Sequence, residues 1–249
     1  MDTESNKYQR VLLKLSGESF NTDQPSCFNM EAVSLLCDTL CSLSAQKIQI
    51  AVVIGGGNIW RGRDAHEHGI AQVSADMIGM TATILNALVF QAMLEKKGVS
   101  VKVLGPNPLL PLMEHHHWKK AVDYLNEGHI VLFAGGTGCP LFSTDTASAL
   151  RAVEIQAQLI LKATTVDHVY NDDPKKNHHA VSYDHITYDE ILQQNLKIID
   201  ETAAIICNTH DIPMRIFSIN HPNNLLKILS NGESIGTWVS KQKNASTTP

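Results

Sequence analysis

Cysteine is scarce and forms no pattern. The 249-residue chain has five, Cys27, Cys37, Cys41, Cys139 and Cys207, and no CxxC pair occurs among them. An odd count without that spacing argues against a disulfide framework or a zinc knuckle and fits a reducing compartment. Cys37 and Cys41 lie one helical turn apart, which two buried helix cysteines explain without a metal. Excess charge is also missing. Twenty Lys and Arg stand against 25 Asp and Glu, net -5, with the basic residues dispersed. No nucleic-acid or membrane surface is expected from that balance. No segment is expected to reach the roughly 18 apolar residues of a membrane helix. The stretch from Met1 to Arg10 is polar and leads into no signal-peptide core, so a cytoplasmic location is expected. Two phosphate-binding signatures are absent as well. There is no GxxxxGK[ST], and no GxGxxG follows an apolar strand pattern.

What is present is alternation. Apolar, strand-like runs cover Val11–Leu15, Ile48–Ile54, Val99–Leu104, Ile130–Ala134, Leu159–Leu161 and Arg215–Ile219. Between them lie helical spacings at Met30–Ser44, Ala75–Lys97, Ala147–Ala157, Tyr188–Asn195 and Ile198–His210. The three prolines of Leu104–Pro111 predict a loop, and Asp211-Ile212-Pro213 a turn back into the sheet. Continuous apolar strands between helices predict a mostly parallel sheet covered on both faces. At this length, with 43% hydrophobic residues, one α/β domain is expected. The tail from Lys241 to Pro249 is polar and predicted to fray.

Ligands of open parallel sheets bind at the carboxyl ends of the strands, and three such ends here are rich in small residues. They are Lys14-Leu15-Ser16-Gly17, Gly55-Gly56-Gly57-Asn58 and Gly135-Gly136-Thr137-Gly138. Glycine lets backbone N–H groups close on an anion, and a following helix N-terminus adds favourable partial charge. Lys14 ends a buried strand, where an unpaired ammonium is costly and an anionic ligand offsets the cost. Arg61 and Thr137 accompany the other two ends. Asp145 follows Ser143-Thr144 at a helix start. It is either a helix N-terminal carboxylate or the group that orients a lysine or metal; spacing alone leaves both open. His115–His117 has no accompanying carboxylate or cysteine ligands, so a solvated helix start is expected there rather than a metal site.

These stretches resemble the bacterial-type uridylate kinase family of the amino-acid kinase superfamily. The resemblance rests on LLKLSGES at Leu12–Ser19, VVIGGGNIWRG at Val52–Gly62 and ADMIGMTATILNAL at Ala75–Leu88. It continues through FAGGTGCPLFSTDTASALRAVEI at Phe133–Ile155, LKATTVDHVYNDDPKK at Leu161–Lys176 and IPMRIFSI at Ile212–Ile219. It implies a three-layer α/β/α sandwich with a mostly parallel central sheet. Within a single domain spanning 1–249, the acceptor-binding lobe would cover about 1–160 and the ATP-binding lobe about 161–240. The implied reaction is transfer of the γ-phosphoryl group of ATP to UMP in pyrimidine nucleotide biosynthesis, with Mg2+ carried on ATP.

By the same resemblance, Lys14, Leu15, Ser16, Gly17, Gly57 and Arg61 hold the ATP phosphates. Thr164, Tyr170 and Asp173 hold its adenosine. Gly56, Asp76, Thr137, Gly138, Cys139, Pro140, Leu141, Phe142, Ser143 and Thr144 bind UMP. Lys14, Asp145, Arg61 and Lys162 carry the catalysis. A homohexamer, activation by GTP and inhibition by UTP are implied too. Read without the resemblance, Tyr170 is a half-buried strand-end tyrosine. Cys139 departs from the family's usual asparagine, Ser143 from threonine and His168 from glycine. Two rivals remain at this level. One is a sister kinase acting on a carboxylate or carbamate, disfavoured by Asp76 and the Thr137–Thr144 loop. The other is a nucleotide sensor without turnover, disfavoured because Lys14 and Asp145 are both present.

Overall fold

The computed structural model describes residues 7–20, 27–172, 176–177, 179–221 and 223–243, leaving out the side chains of residues 63, 64 and 66. The chain opens with β1 (Arg10–Leu15), a 3-10 turn (Gly17–Phe20), α1 (Met30–Ala45), β2 (Gln49–Ile54), α2 (Gly62–Glu67) and the long α3 (Gln72–Lys96). It continues through β3 (Val101–Gly105), β4 (Glu114–His115), α4 (Trp118–Asn126), β5 (Ile130–Phe133), α5 (Thr144–Glu154) and β6 (Leu159–Thr164). A two-stranded ribbon, β7 (Val169–Tyr170) with β8 (Ser182–Tyr183), precedes β9 (His185–Thr187), α6 (Tyr188–Gln193) and α7 (Glu201–Thr209). Last come β10 (Met214–Ser218), α8 (Asn223–Ser230) and β11 (Thr237–Ser240).

Nine strands form one sheet in the order β4-β3-β5-β2-β1-β6-β10-β11-β9. Its ladders are parallel except for β10 with β11. Strand alternation divides the core in two. Val11, Leu13 and Leu15 face α1, α3 and α8 with Leu36, Phe90 and Leu225. Leu12 faces the other layer, where α4, α5, α6 and α7 bring Leu125, Ala149, Ile191 and Ala204. The result is the expected three-layer sandwich.

The expected strands and helices all form, with ends shifted by a few residues. Strands β4, β7, β8 and β9 have only two or three residues each, too few for a periodic signal. Helices α2 and α8 were not expected, and of α4 only a start at the histidines was. That helix starts where the histidines end: His117 is its N-cap and accepts from the Lys119 N–H at 3.3 Å. The absence of a membrane-length apolar segment does not hold by length and composition. An 18-residue window of α3 has a mean hydropathy of 1.6. Its Asp76, Thr83 and Asn86 interrupt any unbroken run, which is why a count of consecutive apolar residues passes over it. One third of that window is buried, with Ala87, Phe90 and Leu94 in the core.

Candidate active site

Strand register creates the central feature. Lys14 on β1 is the direct neighbour of Lys162 on β6. Both point to the α5 side of the sheet, opposite Leu13, Leu15, Leu161 and Ala163. Adjacent like charges on one sheet face repel, and these two are only 8% and 5% exposed. The chain resolves this with one carboxylate. Asp145, in the first turn of α5, meets Lys14 Nζ at 2.8 Å through Oδ1 and Lys162 Nζ through Oδ2. Lys162 also donates to the Ile198 carbonyl. Each ammonium thus has one Asp145 oxygen, and the charge of Asp200 also reaches Lys162.

Burial works against charge on Asp145, but the two ammonium groups outweigh it and hold the carboxyl below its usual range. For Lys162 burial wins. It must share Asp145 with Lys14, whose own charge repels it, and its pKa lies below that of an exposed lysine.

The glycine ends close around this centre. A Cβ on Gly17 would sit 2.5 Å from the Gly57 N and 2.6 Å from the Gly55 carbonyl oxygen. The ends of β1 and β2 touch there, and only glycine fits. Arg61 donates from Nε to the Gly57 carbonyl at 3.3 Å and stands 3.6 Å from Glu18.

Beside them is a cavity of about 160 Å3, walled by Gly56, Gly57, Asp76, Gly79, Thr83 and Thr144, with Trp60 and Phe142 at its edge. Asp76 Oδ2 accepts from the Leu141 N–H at 2.8 Å, tying α3 to the 137–143 loop. Thr137 folds that loop on itself, donating to the Cys139 carbonyl at 2.9 Å and accepting from the Cys139 N–H at 3.1 Å. Ser143 caps α5, accepting from the Asp145 and Thr146 N–H groups. The serine hydroxyl does this unaided, so the missing threonine methyl costs no cap. Cys139, another departure, is exposed and takes part in the turn through its backbone.

Lys14, Gly17, Gly57, Arg61, Asp145 and Lys162 are therefore brought together, and Gly56, Asp76 and Thr144 meet around the adjoining cavity. Leu141 and Phe142 are 72% and 49% exposed. The residues expected at adenosine stand further along the chain from Lys162, at the end of β6 and on β7. Thr164, at the end of β6, donates to the Val166 carbonyl at 2.7 Å. Tyr170 donates to Asp167 Oδ1 at 2.8 Å. Asp173 lies outside the described residues. His168, the third departure, has its ring 3.5 Å from Asp167 and 4.0 Å from Asp184, which places an imidazole where glycine leaves open space.

Residues 9–218 match the profile of the Amino acid kinase family. A uridylate kinase of Xanthomonas oryzae pv. oryzae is 43% identical over 232 residues, 93% of this chain and 96% of the relative. One from Psychrobacter cryohalolentis is 38% identical over 240 residues, 96% and 99% of the two chains. The chain belongs to the amino acid kinase family, among the uridylate kinases. The crystal structure of UMP kinase from Bacillus anthracis superposes on this amino acid kinase with a TM-score of 0.91 at 34% identity, covering 95% of this chain and 97% of that one. UMP kinase from Ureaplasma parvum gives 0.89 at 33%, covering 94% and 100%.

Sequence reasoning passed over three polar residues of this kinase's site. Asp200 caps α7 through the Ala203 N–H and accepts from the hydroxyls of Ser143 and Thr146 at the start of α5. Thr83 and Asn86 are buried on α3. The available signal was a polar residue at a core-facing position, legible only once the helix has a partner.

Proposed function

We propose that this protein transfers the γ-phosphoryl group of ATP to UMP, giving UDP and ADP, as a step of pyrimidine nucleotide synthesis. The observation that carries this is the Lys14–Asp145–Lys162 cluster, set between glycine-lined strand ends and a carboxylate-bearing cavity. Phosphoryl transfer consists largely of positioning and charge neutralisation. Lys14 and Lys162 supply positive charge where negative charge spreads over the transferring group, and Asp145 holds both against their mutual repulsion. N–H groups of the Lys14–Gly17 and Gly57 segments receive the ATP phosphates, with Arg61 beside them. Thr164, Tyr170 and Asp173 take the adenosine. On the acceptor side Gly56, Asp76 and residues 137–144 hold UMP, the Asp76 carboxylate accepting from ribose hydroxyls. Asp76 already accepts from the Leu141 N–H and the Gln72 amide, and its remaining lone pairs suit the hydroxyls of a ribose, which a small acid acceptor lacks.

Among the described residues no three His, Cys, Asp or Glu side chains converge as a metal cage, and Asp145 is already engaged by two lysines. That suits Mg2+ arriving on the phosphates of ATP, since this ion keeps substrate oxygens and water among its ligands. When bound, it neutralises phosphate charge. The reading keeps an acceptor lobe of about 1–160 and an ATP lobe of about 161–240, with the ATP phosphates reaching across to Lys14–Gly17, Gly57 and Arg61 of the first. A homohexamer, GTP as activator, UTP as inhibitor and a cytoplasmic setting complete the reading. Exposed Val73, Met77, Ile78 and Leu85 on α3 support assembly, because a second copy would cover them.

The test is a coupled assay with ATP and a panel of nucleoside monophosphates, carbamate and small carboxylates. Turnover restricted to UMP is expected. Turnover of an acid, or of nothing, would overturn the reading.

A further inference from the structure

Strands β2 and β5 run side by side with Ala51, Val52 and Val53 opposite Val131, Leu132 and Phe133. The ladder stops there. Continued by two residues it would place Gly55 beside Gly135, but the chains turn apart. Gly55 leads into the Gly56-Gly57 turn, and Gly135 and Gly136 take positive φ of 75° and 59°. The split lets a ligand reach the strand ends, and it also leaves backbone polar groups without ladder partners inside the protein. Such groups need another partner.

One turn of α3 provides it. Asn86, with no exposed surface, donates from Nδ2 to the Gly55 carbonyl at 2.7 Å. Its amide also pairs reciprocally with that of Asn58, at 2.7 and 3.0 Å. Thr83, 3% exposed, accepts from the Gly135 N–H at 2.7 Å and donates to the Met80 carbonyl at 2.7 Å. The two residues are three apart, so they share a helix face, and the helix backbone fixes the distance between them. The fit is close: a Cβ on Gly56 would lie 2.7 Å from the Gly79 carbonyl oxygen and 2.9 Å from Ala82 Cβ.

We propose that Thr83 and Asn86 are positioning residues for phosphoryl transfer: a spacer that sets how far the Gly55–Gly57 end stands from the Gly135–Gly138 end. The inference rests on the reading that Gly57, at the first end, serves ATP phosphates, and that Thr137 and Gly138, at the second, hold the acceptor, which Gly56 also meets. Under that reading the spacing decides whether acceptor oxygen and transferring phosphorus are in line. Binding of ATP to the Lys14–Gly17 and Gly57 segments is nearly indifferent to the spacing, whereas UMP meets both ends. Misplacement on the scale of 1 Å lowers turnover by roughly two orders of magnitude.

The experiment measures kcat, both KM values and melting temperature for wild type, Thr83→Val, Thr83→Ser, Asn86→Asp and the double variant Thr83→Val/Asn86→Asp. Valine keeps the threonine shape without the hydroxyl. Aspartate keeps the asparagine shape without the donor. We expect kcat to fall about 10- to 100-fold in Thr83→Val and Asn86→Asp, with KM for ATP within about threefold of wild type. Thr83→Ser should return to near wild-type kcat. Because one spacer is broken either way, the double variant should lose little more than the worse single variant. Multiplied losses would mean two independent contacts and would overturn the spacer. So would variants that melt lower yet keep wild-type kcat per folded molecule. A wild type that phosphorylates no nucleotide would overturn the underlying reading itself, and that outcome is seen before any variant is made.

Discussion

At the scale of single residues, the site is an exercise in placing charge. Lys14 and Lys162 are neighbours by register, and neither tolerates burial beside the other without Asp145. Lys14→Ala should lower kcat by about 10²- to 10³-fold or more in a folded protein, the loss expected for a charge contact made mainly in the transition state. Steady-state kinetics with a melting curve checks it, and wild-type turnover would remove Lys14 from the chemistry. Asp145→Asn leaves two buried ammonium groups facing each other. A strong fall in kcat, with UMP affinity similar or tighter, is expected beside a lower melting temperature. Sign also follows from its depressed pKa. Asp145 contributes stability that is present above its unfolded value near 3.8 and is lost as pH falls through the lower folded value. Wild type should therefore be the more stable protein at neutral pH, with the gap to Asp145→Asn closing in strong acid. Asp76→Asn should raise KM for UMP far more than KM for ATP, a charged hydrogen bond contributing about 1.5–3 kcal/mol. Equal effects on the two substrates would leave Asp76 with a structural role through its ties to Leu141 and Gln72.

At the scale of elements, the strand ends are built by close backbone approach. Gly17 and Gly62 differ in what a side chain would meet. A Cβ at Gly17 strikes backbone of the β2 end, whereas at Gly62 nothing lies within 4 Å. Gly17→Ala should cost more than about 1 kcal/mol of stability and depress turnover, since backbone must shift where ATP phosphates are expected. Gly62→Ala, at the first residue of α2, should be neutral or slightly stabilising, alanine being the better helix former. Calorimetry and kinetics on both variants separate a steric requirement from general sensitivity of the loops. Equal behaviour would contradict the contact geometry.

At the scale of the molecule, α3 has two different faces. Its inner face holds Thr83, Asn86, Ala87, Phe90 and Leu94 against the sheet and its loops. Its outer face leaves Met77 and Leu85 at 44% and 50% exposure. If a second copy covers that face, Met77→Lys with Leu85→Lys should lower the assembled mass in sedimentation experiments. A double variant of unchanged mass would place the contact elsewhere.

Much of this was written in the chain order. Apolar runs between helical spacings announced a parallel sheet because a strand buried on both faces has no polar alternation. Glycines after Leu15, Ile54 and Ala134 marked the site because only glycine permits such backbone approach. Lys14 stood out as a charge on a buried strand. Other features depended on tertiary structure. Spacing left Asp145 between two roles; the β1–β6 register sets Lys14 beside Lys162 under the start of α5, and there Asp145 pairs with both lysines from the first helical turn. Thr83 and Asn86 looked like polar interruptions of an apolar helix. They acquire partners only where β2 and β5 part, and a contact between residues 31 or 52 positions apart leaves no trace in local pattern. The sequence by itself determined the layers and the strand ends, because both follow from local periodicity and from glycine's small size. Which charges meet, and what spaces the loops, was decided by strand order and helix docking, which bring distant residues together.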